Sequence, residues 1–401
     1  MKRNWSAMAG ALALLCESDE GAAPAAEPRS QPSDLPEIVA DASAGDWIVD
    51  RFAGNSTAGP AFFQGPAREV SGLGRCGACP LPDGRVLIPF HEGVAEVDTS
   101  GTLRLVIEAQ VLFATTAQVT ANVMAYNPKD RSIYVAGPNC LRRLVERDDG
   151  PWQIERVAGT PGTPGFTDGP AQSATFTRVD SLVIDGRGTM FILDANQRLR
   201  QVENGQVTTL NSALHSSGRV DGPLDQARFN LIGLGGNLCG GENDYTLYLS
   251  DHWNFVVRRI DLQTRTVTTV AGMPKPNPVP GAPPDSRQRR YNQNSDGPAL
   301  TWASFNSGCA YVCWDPVHRA LWCGGPDENR FRWLKEGQVQ TVIGAKGSDR
   351  WSKEGVRIPA DQVRLNWNAV VAVDSEGRAY LSCSGEPNGL WRAYHRPEVK
   401  P

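Results

Sequence analysis

The sequence predicts an all-β fold, a six-bladed β-propeller whose ring is closed by an N-terminal strand that completes the last blade. Three observations predict it: a unit of short strands recurs six times, the last unit lacks its fourth strand, and an unpaired strand precedes the first unit. The 401 residues include 41 Gly and 29 Pro, which cluster between short apolar runs. Such clusters are typical of tight turns between many short strands.

The repeated unit is clearest between residues 157 and 210. It carries Asp168-Gly169-Pro170 and Ala174-Thr175-Phe176, and apolar strands separated by turn residues follow. Segments of the same kind recur at 221–229 and 296–305. We therefore predict six four-stranded blades that stack face to face, at residues 55–107, 108–157, 165–210, 220–270, 296–343 and 355–394.

The two ends of the repeat array fit a closed ring. The last unit ends near Tyr394 after three strands, whereas residues 46–54 form a single strand before the first unit. Pairing of this strand with the last blade would remove exposed sheet edges, which open sheets must otherwise protect. We predict this closure, and with it one propeller domain over residues 46–396.

Four units also place an Arg four residues after an Asn, in the pairs Asn139/Arg143, Asn196/Arg200, Asn254/Arg258 and Asn388/Arg392. Together with the Asp-Gly-Pro and Ala-x-Phe segments, this pattern resembles the NHL-repeat family of six-bladed β-propellers, of the bacterial exported type. The resemblance covers about residues 46–396. We expect the repeated Asn and Asp to satisfy backbone groups in turns, and the repeated Arg to pair with neighbouring blades.

The first 16 residues indicate an export signal. Lys2 and Arg3 precede an apolar stretch that ends at Cys16. The segment Ala13-Leu14-Leu15-Cys16 resembles a bacterial lipoprotein signal, which makes Cys16 a lipidation candidate, although Leu15 stands where a small residue is usual. We expect a periplasmic, cell-surface or secreted protein.

Residues 17–45 are rich in Ala and Pro and predict a disordered tether, and residues 397–401 form a tail.

The composition and charge of the chain limit the classes of partner that it can bind. No run approaches the roughly 20 apolar residues of a membrane helix, so membrane contact is expected only through an N-terminal lipid. A net charge of −4 provides no field that attracts nucleic acid. We expect a monomer whose partner is a protein, a peptide or a glycan.

Polar residues near the start of the innermost strands are the candidates for a site in the central channel. Asn122 and Asp180 fall at matching positions of neighbouring blades, and Asn306 and Asn368 lie near the same end of theirs. Carboxylate and amide oxygens suit Ca²⁺. Capping of turns by these side chains is the alternative interpretation.

Histidines offer a second kind of metal site. His91 and His252 both follow the second strand of a blade, and a propeller amidating lyase places histidines around a central metal, so we consider a Zn²⁺ site. His318 and His395 are expected to face solvent.

Eight cysteines remain when Cys16 is set aside, an even number that suits disulfides in an oxidising compartment. The candidates are two of the three cysteines Cys309, Cys313 and Cys323, which lie on one predicted hairpin, and the Cys76/Cys79 pair, which we expect to be either a structural disulfide or two buried thiols. The sequence leaves the connectivity open.

The functional hypothesis from sequence is a non-catalytic binding scaffold at the cell envelope, with no catalytic residues and no cofactor. The alternative is a hydrolase, lactonase or lyase that depends on Ca or Zn and has its site in the central channel. The first is favoured because the repeated residues have structural explanations and no catalytic motif is present.

Overall fold

The structure is a computed structural model. It describes residues 47–54, 64–70, 73, 76–90, 93–108, 112, 124–137, 139–147, 150–194, 198–211, 218–231, 237–273, 296–305, 309–325, 330–344, 358–360, 363, 368–383 and 389–395. β-strands predominate, with two short 3-10 turns, Ala67–Glu69 and His252–Asn254. Within these ranges no helix is long and apolar enough to cross a membrane.

The described strands form six antiparallel sheets, which we call blades 1 to 6 in chain order. Strand β1, Trp47–Ala53, comes first and belongs to blade 6. Blade 1 contains β2 to β6, which are Gln64–Pro66, Cys79–Pro80, Val86–Phe90, Gly93–Val97 and Thr102–Glu108. Blade 2 contains β7 to β10, which are Met124–Asn127, Ser132–Ala136, Cys140–Arg147 and Gly150–Gly159.

Blades 3 and 4 have five strands each. Blade 3 contains β11 to β15, which are Gly169–Pro170, Val179–Ile184, Met190–Asp194, Arg198–Glu203 and Gln206–Thr209. Blade 4 contains β16 to β20, which are Gly222–Pro223, Leu238–Gly240, Thr246–Asp251, Val256–Asp261 and Thr266–Ala271.

Blades 5 and 6 complete the set. Blade 5 contains β21 to β25, which are Gly297–Pro298, Tyr311–Asp315, Ala320–Gly324, Phe331–Lys335 and Gln338–Ile343. Blade 6 contains β26 to β29, which are Ile358–Pro359, Asn368–Val373, Ala379–Cys383 and Gly389–His395, together with β1.

The blades are arranged as a closed ring. Strands β3, β7, β12, β17, β22 and β27 are the inner edges of their sheets; each contacts the next, and β27 contacts β3. The second strand of a blade is buried on both faces because neighbouring blades cover both sides, as in Val86–Phe90 and Met190–Asp194. The structure confirms the predicted all-β, six-bladed propeller. We call the end at which the innermost strands begin the start face, and the opposite end the end face.

Ring closure through the N-terminal strand is confirmed. Strand β1 pairs antiparallel with β29 from Trp47 opposite His395 to Ala53 opposite Leu390. Asp50, which is 2% exposed, accepts hydrogen bonds from Arg392 and from Arg68 of blade 1, both at 3.1 Å. The first strand is therefore tied to both blades that it lies between.

A fifth, outermost strand is the feature that the four-strand prediction missed. The Gly-Pro of each Asp-Gly-Pro segment pairs with the fourth strand of its blade, as Gly169 does opposite Val207. The glycines of these segments have φ values of 121°, 126° and 134°, at Gly169, Gly222 and Gly297. L-residues rarely adopt such angles, and proline tolerates an edge position because it has no N–H to donate. This accounts for the Gly-Pro of the motif.

Apolar side chains fill the seams between consecutive blades. Val183 of blade 3 packs in one cluster with Leu249 of blade 4, and Trp322 of blade 5 packs in another with Leu381 of blade 6. A single blade cannot bury both of its faces, so each seam stabilises two blades at once.

Candidate functional site

The repeated Arg and Asp residues form buried sets inside their own repeats. In blade 3, Arg200 is 0% exposed and pairs with Asp168 at 2.7 Å and with Asp194 at 3.2 Å. Its guanidinium carbon lies 5.3 Å from the ring centre of Phe176, the Phe of the Ala-x-Phe segment. The expected pairing of such arginines with neighbouring blades is wrong for Arg200, because the segment that carries Asp168 pairs with β15 of the same blade.

Blade 4 repeats this arrangement. Arg258 pairs with Asp221 at 2.6 Å, its Nε lies 3.6 Å from Asp251, and its guanidinium carbon is 5.4 Å from the Phe229 ring. Burial raises the pKa of Asp251 to about 6, against the lowering effects of its hydrogen bonds and of Arg258.

The Asp of each Asp-Gly-Pro segment also holds the fourth strand. Asp168 accepts hydrogen bonds from the backbone N–H and the hydroxyl of Thr209, at 2.9 and 3.0 Å. Asp221 and Asp296 bond Thr269 and Thr341 in the same way. These carboxylates are structural.

The four-residue Asn/Arg spacing does not place the Arg at the equivalent strand position in every blade. Asn139 donates to the backbone carbonyls of Phe176 and Thr177, as the structural interpretation of the Asn expects. However, Arg143 lies one residue beyond the register position of Arg200 and Arg258, and it bonds Ser132 at 2.8 Å. Arg392 is displaced in the same sense, and Asn196 and Asn388 lie outside the described residues.

The channel candidates are only partly described. Asp180 is 17% exposed and forms an ion pair with Arg178 at 2.6 Å, and this hydrogen bond is the main cause of the raised pKa of Arg178. Asn368 is the first residue of β27, but its side chain is not among the described parts of the structure. The other candidates that lie outside the described residues are Asn122, Asn306, His91 and Cys16. His252 is 2% exposed and packs edge-on against Trp253. Among described residues, no group of three or more His, Cys, Asp or Glu could hold a metal ion.

His318 is buried, which corrects the expectation that it faces solvent. It is 3% exposed, and its Nδ1 lies 2.8 Å from Asp315 Oδ2. Its ring centre is 5.1 Å from that of Trp47 and 5.2 Å from that of Trp333. Trp322 also donates to Asp315, at 3.2 Å. This aromatic cluster joins the closing strand to blade 5.

All eight cysteines that the structure describes are free thiols, and Cys76 and Cys79 are both buried. Cys76 and Cys79 pack in different apolar clusters, on opposite sides of blade 1. Cys313 lies opposite Trp322 and Cys323 opposite Val312, so these two thiols project from opposite faces of their hairpin. Cys309 lies 3.6 Å from the Tyr311 carbonyl oxygen.

Three thiols instead join consecutive innermost strands. Cys79, Cys239 and Cys313 lie on β3, β17 and β22, and each interacts with a backbone group of the next innermost strand. Those backbone partners belong to Tyr126, Trp314 and Val373, respectively. An innermost strand lies at the edge of its sheet, where some backbone N–H and C=O groups have no partner strand. A side chain from the neighbouring blade can satisfy one of these groups. Ser181 does the same with Leu238 of blade 4, at 3.1 Å.

These thiols are poor nucleophiles and poor metal ligands at neutral pH. Burial raises the pKa of Cys79 and of Cys313 to about 12, and it raises that of Cys239 well above the ordinary value. A buried thiol stays protonated because the thiolate would lose its hydration.

A pocket of about 170 Å³ opens on the end face between blades 2 and 3. The first turn of blade 2 supplies Lys129, and the turns of blade 3 supply Arg187, Thr189, Glu203 and Asn204. Apolar side chains complete the lining, namely Val157, Ala171, Met190 and Val202. Sequence reasoning missed this pocket, because charged residues in hairpin turns are ordinarily solvated and no repeat links them.

Exposed aromatic side chains mark both faces. Phe166 and Trp253, which are 50% and 46% exposed, lie on start-face loops together with the exposed Arg178 and Arg219. Tyr245, 43% exposed, lies on the end face in the first turn of blade 4.

Solved structures share this architecture. A protein of unknown function from Bacteroides thetaiotaomicron is 14% identical, with a TM-score of 0.61 over 86% of this chain and 75% of that one. Auxiliary nutrient binding proteins from Bacteroides thetaiotaomicron and Bacteroides ovatus are 12% and 11% identical, with TM-scores of 0.60 and 0.59, each over 87% of this chain and 76% of theirs. No protein-family model and no curated protein sequence matches the chain. At these identities the comparisons show the fold, a six-bladed β-propeller.

Proposed function

We propose that the protein is an exported, NHL-type propeller that acts as a non-catalytic binding scaffold at the cell envelope, with a protein, a peptide or a glycan as its partner. One observation carries this proposal. The residues of the repeat motifs and the thiols that could perform chemistry, such as Arg200, Asp194 and Cys79, are engaged within the fold, whereas large aromatic side chains are exposed on loops. Loops on a rigid ring are suited to recognition.

The start face is the surface that we propose for the partner. Phe166 and Trp253 expose large aromatic side chains, and the exposed Arg178 and Arg219 lie on loops of the same face. Aromatic residues and Arg are the side chains most enriched where proteins bind partners. The names of the nutrient-binding neighbours agree with a binding role, without identifying a ligand for this chain.

Site-specific photo-crosslinking in the producing cells tests the start face. A photoreactive residue at position 253 or 166 should give one shared crosslinked species, whereas the same residue at the end-face position 336 should not give it. Equal crosslinking from all three positions, or none from 166 and 253, would contradict the proposal.

Export and anchoring need a separate experiment. We expect the full chain in the membrane-associated envelope fraction, and we expect Cys16→Ser to release it into the soluble envelope fraction or the medium. Recovery of the unmodified protein from the cytoplasm would overturn the proposed location.

A metal-dependent hydrolase, lactonase or lyase in the channel is the second candidate. Its support is the carboxylate of Asp180 near the start of an innermost strand. Stoichiometric Ca or Zn in the purified protein, lost in Asp180→Ala or Asn122→Ala, would favour this candidate. Protein without either metal, and with thermal stability unchanged by a chelator, would reject it.

A further inference from the structure

The pocket between blades 2 and 3 is shaped by the turns around it. Gly188 has a φ of 84°, and a Cβ at this position would lie 2.9 Å from Lys129 Cδ. The glycine therefore lets the Lys129 stem lie against the first turn of blade 3. Thr189, which is 2% exposed, donates from Oγ1 to Glu203 Oε1 at 2.9 Å, and this bond links the first turn of the blade to the third.

The charges in the pocket are balanced. Arg187 is paired with Asp185 through hydrogen bonds of 2.6 and 2.9 Å. Its positive charge is therefore balanced by a carboxylate that does not line the pocket. Lys129 and Glu203 remain, one of each sign. Glu203 accepts one hydrogen bond on each oxygen, from Thr189 and from Gln201, and a carboxylate has about four acceptor positions. The pocket thus offers donors and acceptors without net attraction for an anion or a cation.

The lining also has an apolar part, beside Asn204 and the turn glycines. Ala171, Met190 and Val202 are buried residues of the seam, and Val157 is half-buried. A closed apolar cavity of about 150 Å³ holds benzene. A pyranose is larger than benzene because of its hydroxyl groups, so in the open pocket of about 170 Å³ one ring would sit with part of its hydroxyl rim outside. A ligand with an apolar ring face and a rim of hydroxyl groups matches both parts of this lining.

A flat platform stands next to the pocket. The guanidinium carbon of Arg187, a lining residue, lies 4.5 Å from the ring centre of Tyr245, and Tyr245 is 43% exposed. The backbone N–H of Gly186 donates to Asp244 Oδ1 at 2.8 Å, which holds the turns of blades 3 and 4 together. A second ring attached to the first could lie on Tyr245.

We propose that this end-face pocket binds a neutral saccharide, with one pyranose ring in the pocket and the adjoining ring on Tyr245. The inference rests on the proposed binding function, since a glycan is one of the partner classes named there, and it adds a second binding site on the face opposite the start face. Lys129 would donate to ring hydroxyls, Glu203 would accept from them, and the apolar lining would contact the C–H face of the ring.

Titration calorimetry on the full chain tests the proposal with a fixed set of probes: glucose, galactose, mannose and N-acetylglucosamine, and the disaccharides maltose, cellobiose and lactose. We expect at least one probe to bind. Glu203→Gln and Lys129→Met should each weaken its binding about tenfold, the effect of leaving a ligand hydrogen bond unmade. Tyr245→Ala should weaken the disaccharide more than the monosaccharide.

Matched controls lie in the corresponding hairpin of blade 5, where Glu336→Gln and Lys335→Met make the same charge changes away from the pocket. These two variants should bind as the wild type does. The saccharide proposal is overturned if no probe binds, if the pocket variants bind as well as the controls, or if L-leucine or inorganic phosphate binds in the pocket instead. Such a result combined with start-face crosslinking would remove the saccharide and leave the scaffold function standing.

Discussion

Blades 3 and 4 are each stabilised internally by buried charges, whereas the closing region at blades 5 and 6 is stabilised by aromatic contacts between blades. Blades 3 and 4 use buried arginine–carboxylate sets, whereas the closing strand brings Trp47 against Trp322 and Trp333 at ring-centre distances of 5.5 and 5.4 Å. Arg200 and Asp168 are 32 residues apart in sequence, but Arg392 and Asp50 are 342 apart. Loop-closure entropy makes the longer connection about 2 kcal/mol more costly.

The difference indicates why the closing region is rich in large aromatic side chains. A contact inside one repeat forms within a short stretch of chain, so hydrogen bonds and ion pairs suffice to fix it. The closing contact must offset a larger entropy, and a buried Trp contributes more apolar area than other side chains. Trp47, Trp322 and Trp391 are all at most 1% exposed.

Removal of the closing strand should have the largest effect. Deletion of residues 46–54 exposes two sheet edges and the aromatic cluster, and we expect a protein that is unfolded or aggregated, as judged by circular dichroism and size-exclusion chromatography. Trp47→Ala, a milder change, should lower the free energy of unfolding by about 3–5 kcal/mol. A melting temperature unaffected by the deletion would refute closure through this strand.

Removal of one arginine from the buried arginine–carboxylate set of a blade should cause the second-largest loss of stability. Arg258→Ala leaves Asp251 buried without its cation, which costs about 3–5 kcal/mol in comparable pairs. Arg259→Ala is the matched control, because Arg259 is adjacent but partly exposed, and we expect it to cost less than about 1 kcal/mol. Equal losses of unfolding free energy in urea for the two variants would contradict the structural role of Arg258.

The pH dependence of stability should distinguish the arginine sets from the aromatic cluster. The pKa of Asp251 is about 6 in the folded protein and about 3.8 when unfolded, so the folded state binds the proton more tightly. The contribution of Asp251 to stability is therefore present at pH 4 and is lost as the pH rises to 6, by about 1–2 kcal/mol. The difference in unfolding free energy between wild type and Asp251→Asn should shrink over this range, and a constant difference would contradict the raised pKa.

The prediction for the cysteines concerns the chemical reactivity of their thiols and not the stability of the fold. Because burial raises the pKa of Cys76, Cys79 and Cys313 to about 12 and also raises that of Cys140, Cys239 and Cys383, we expect Ellman's reagent to react slowly with these thiols in the native protein at pH 8. In guanidinium without reductant, the eight described cysteines should all react in a Cys16→Ser variant, which removes the ninth thiol. A count of six or fewer in that variant would reveal disulfides in the purified protein.

Much of the architecture could be predicted from the sequence because it is local and repeated. The Asp-Gly-Pro segment recurs because Gly169 needs a positive φ, Pro170 occupies a sheet edge and Asp168 bonds Thr209. The strand around Trp47 was predictable because the last unit lacked a strand. The register of each repeat was less predictable, since the four-residue Asn/Arg spacing places Arg143 and Arg258 at different positions.

Sequence by itself thus determined the blade number, the closure and the structural role of the repeated motifs, since each follows from short-range patterns. Only the tertiary structure decided which side chains meet across a seam. The free thiols that join innermost strands, the burial of His318 and the joining of Lys129 with Glu203 around one pocket depend on packing between blades. Burial and charge balance at such seams are set by residues distant in the chain, and no local pattern encodes them.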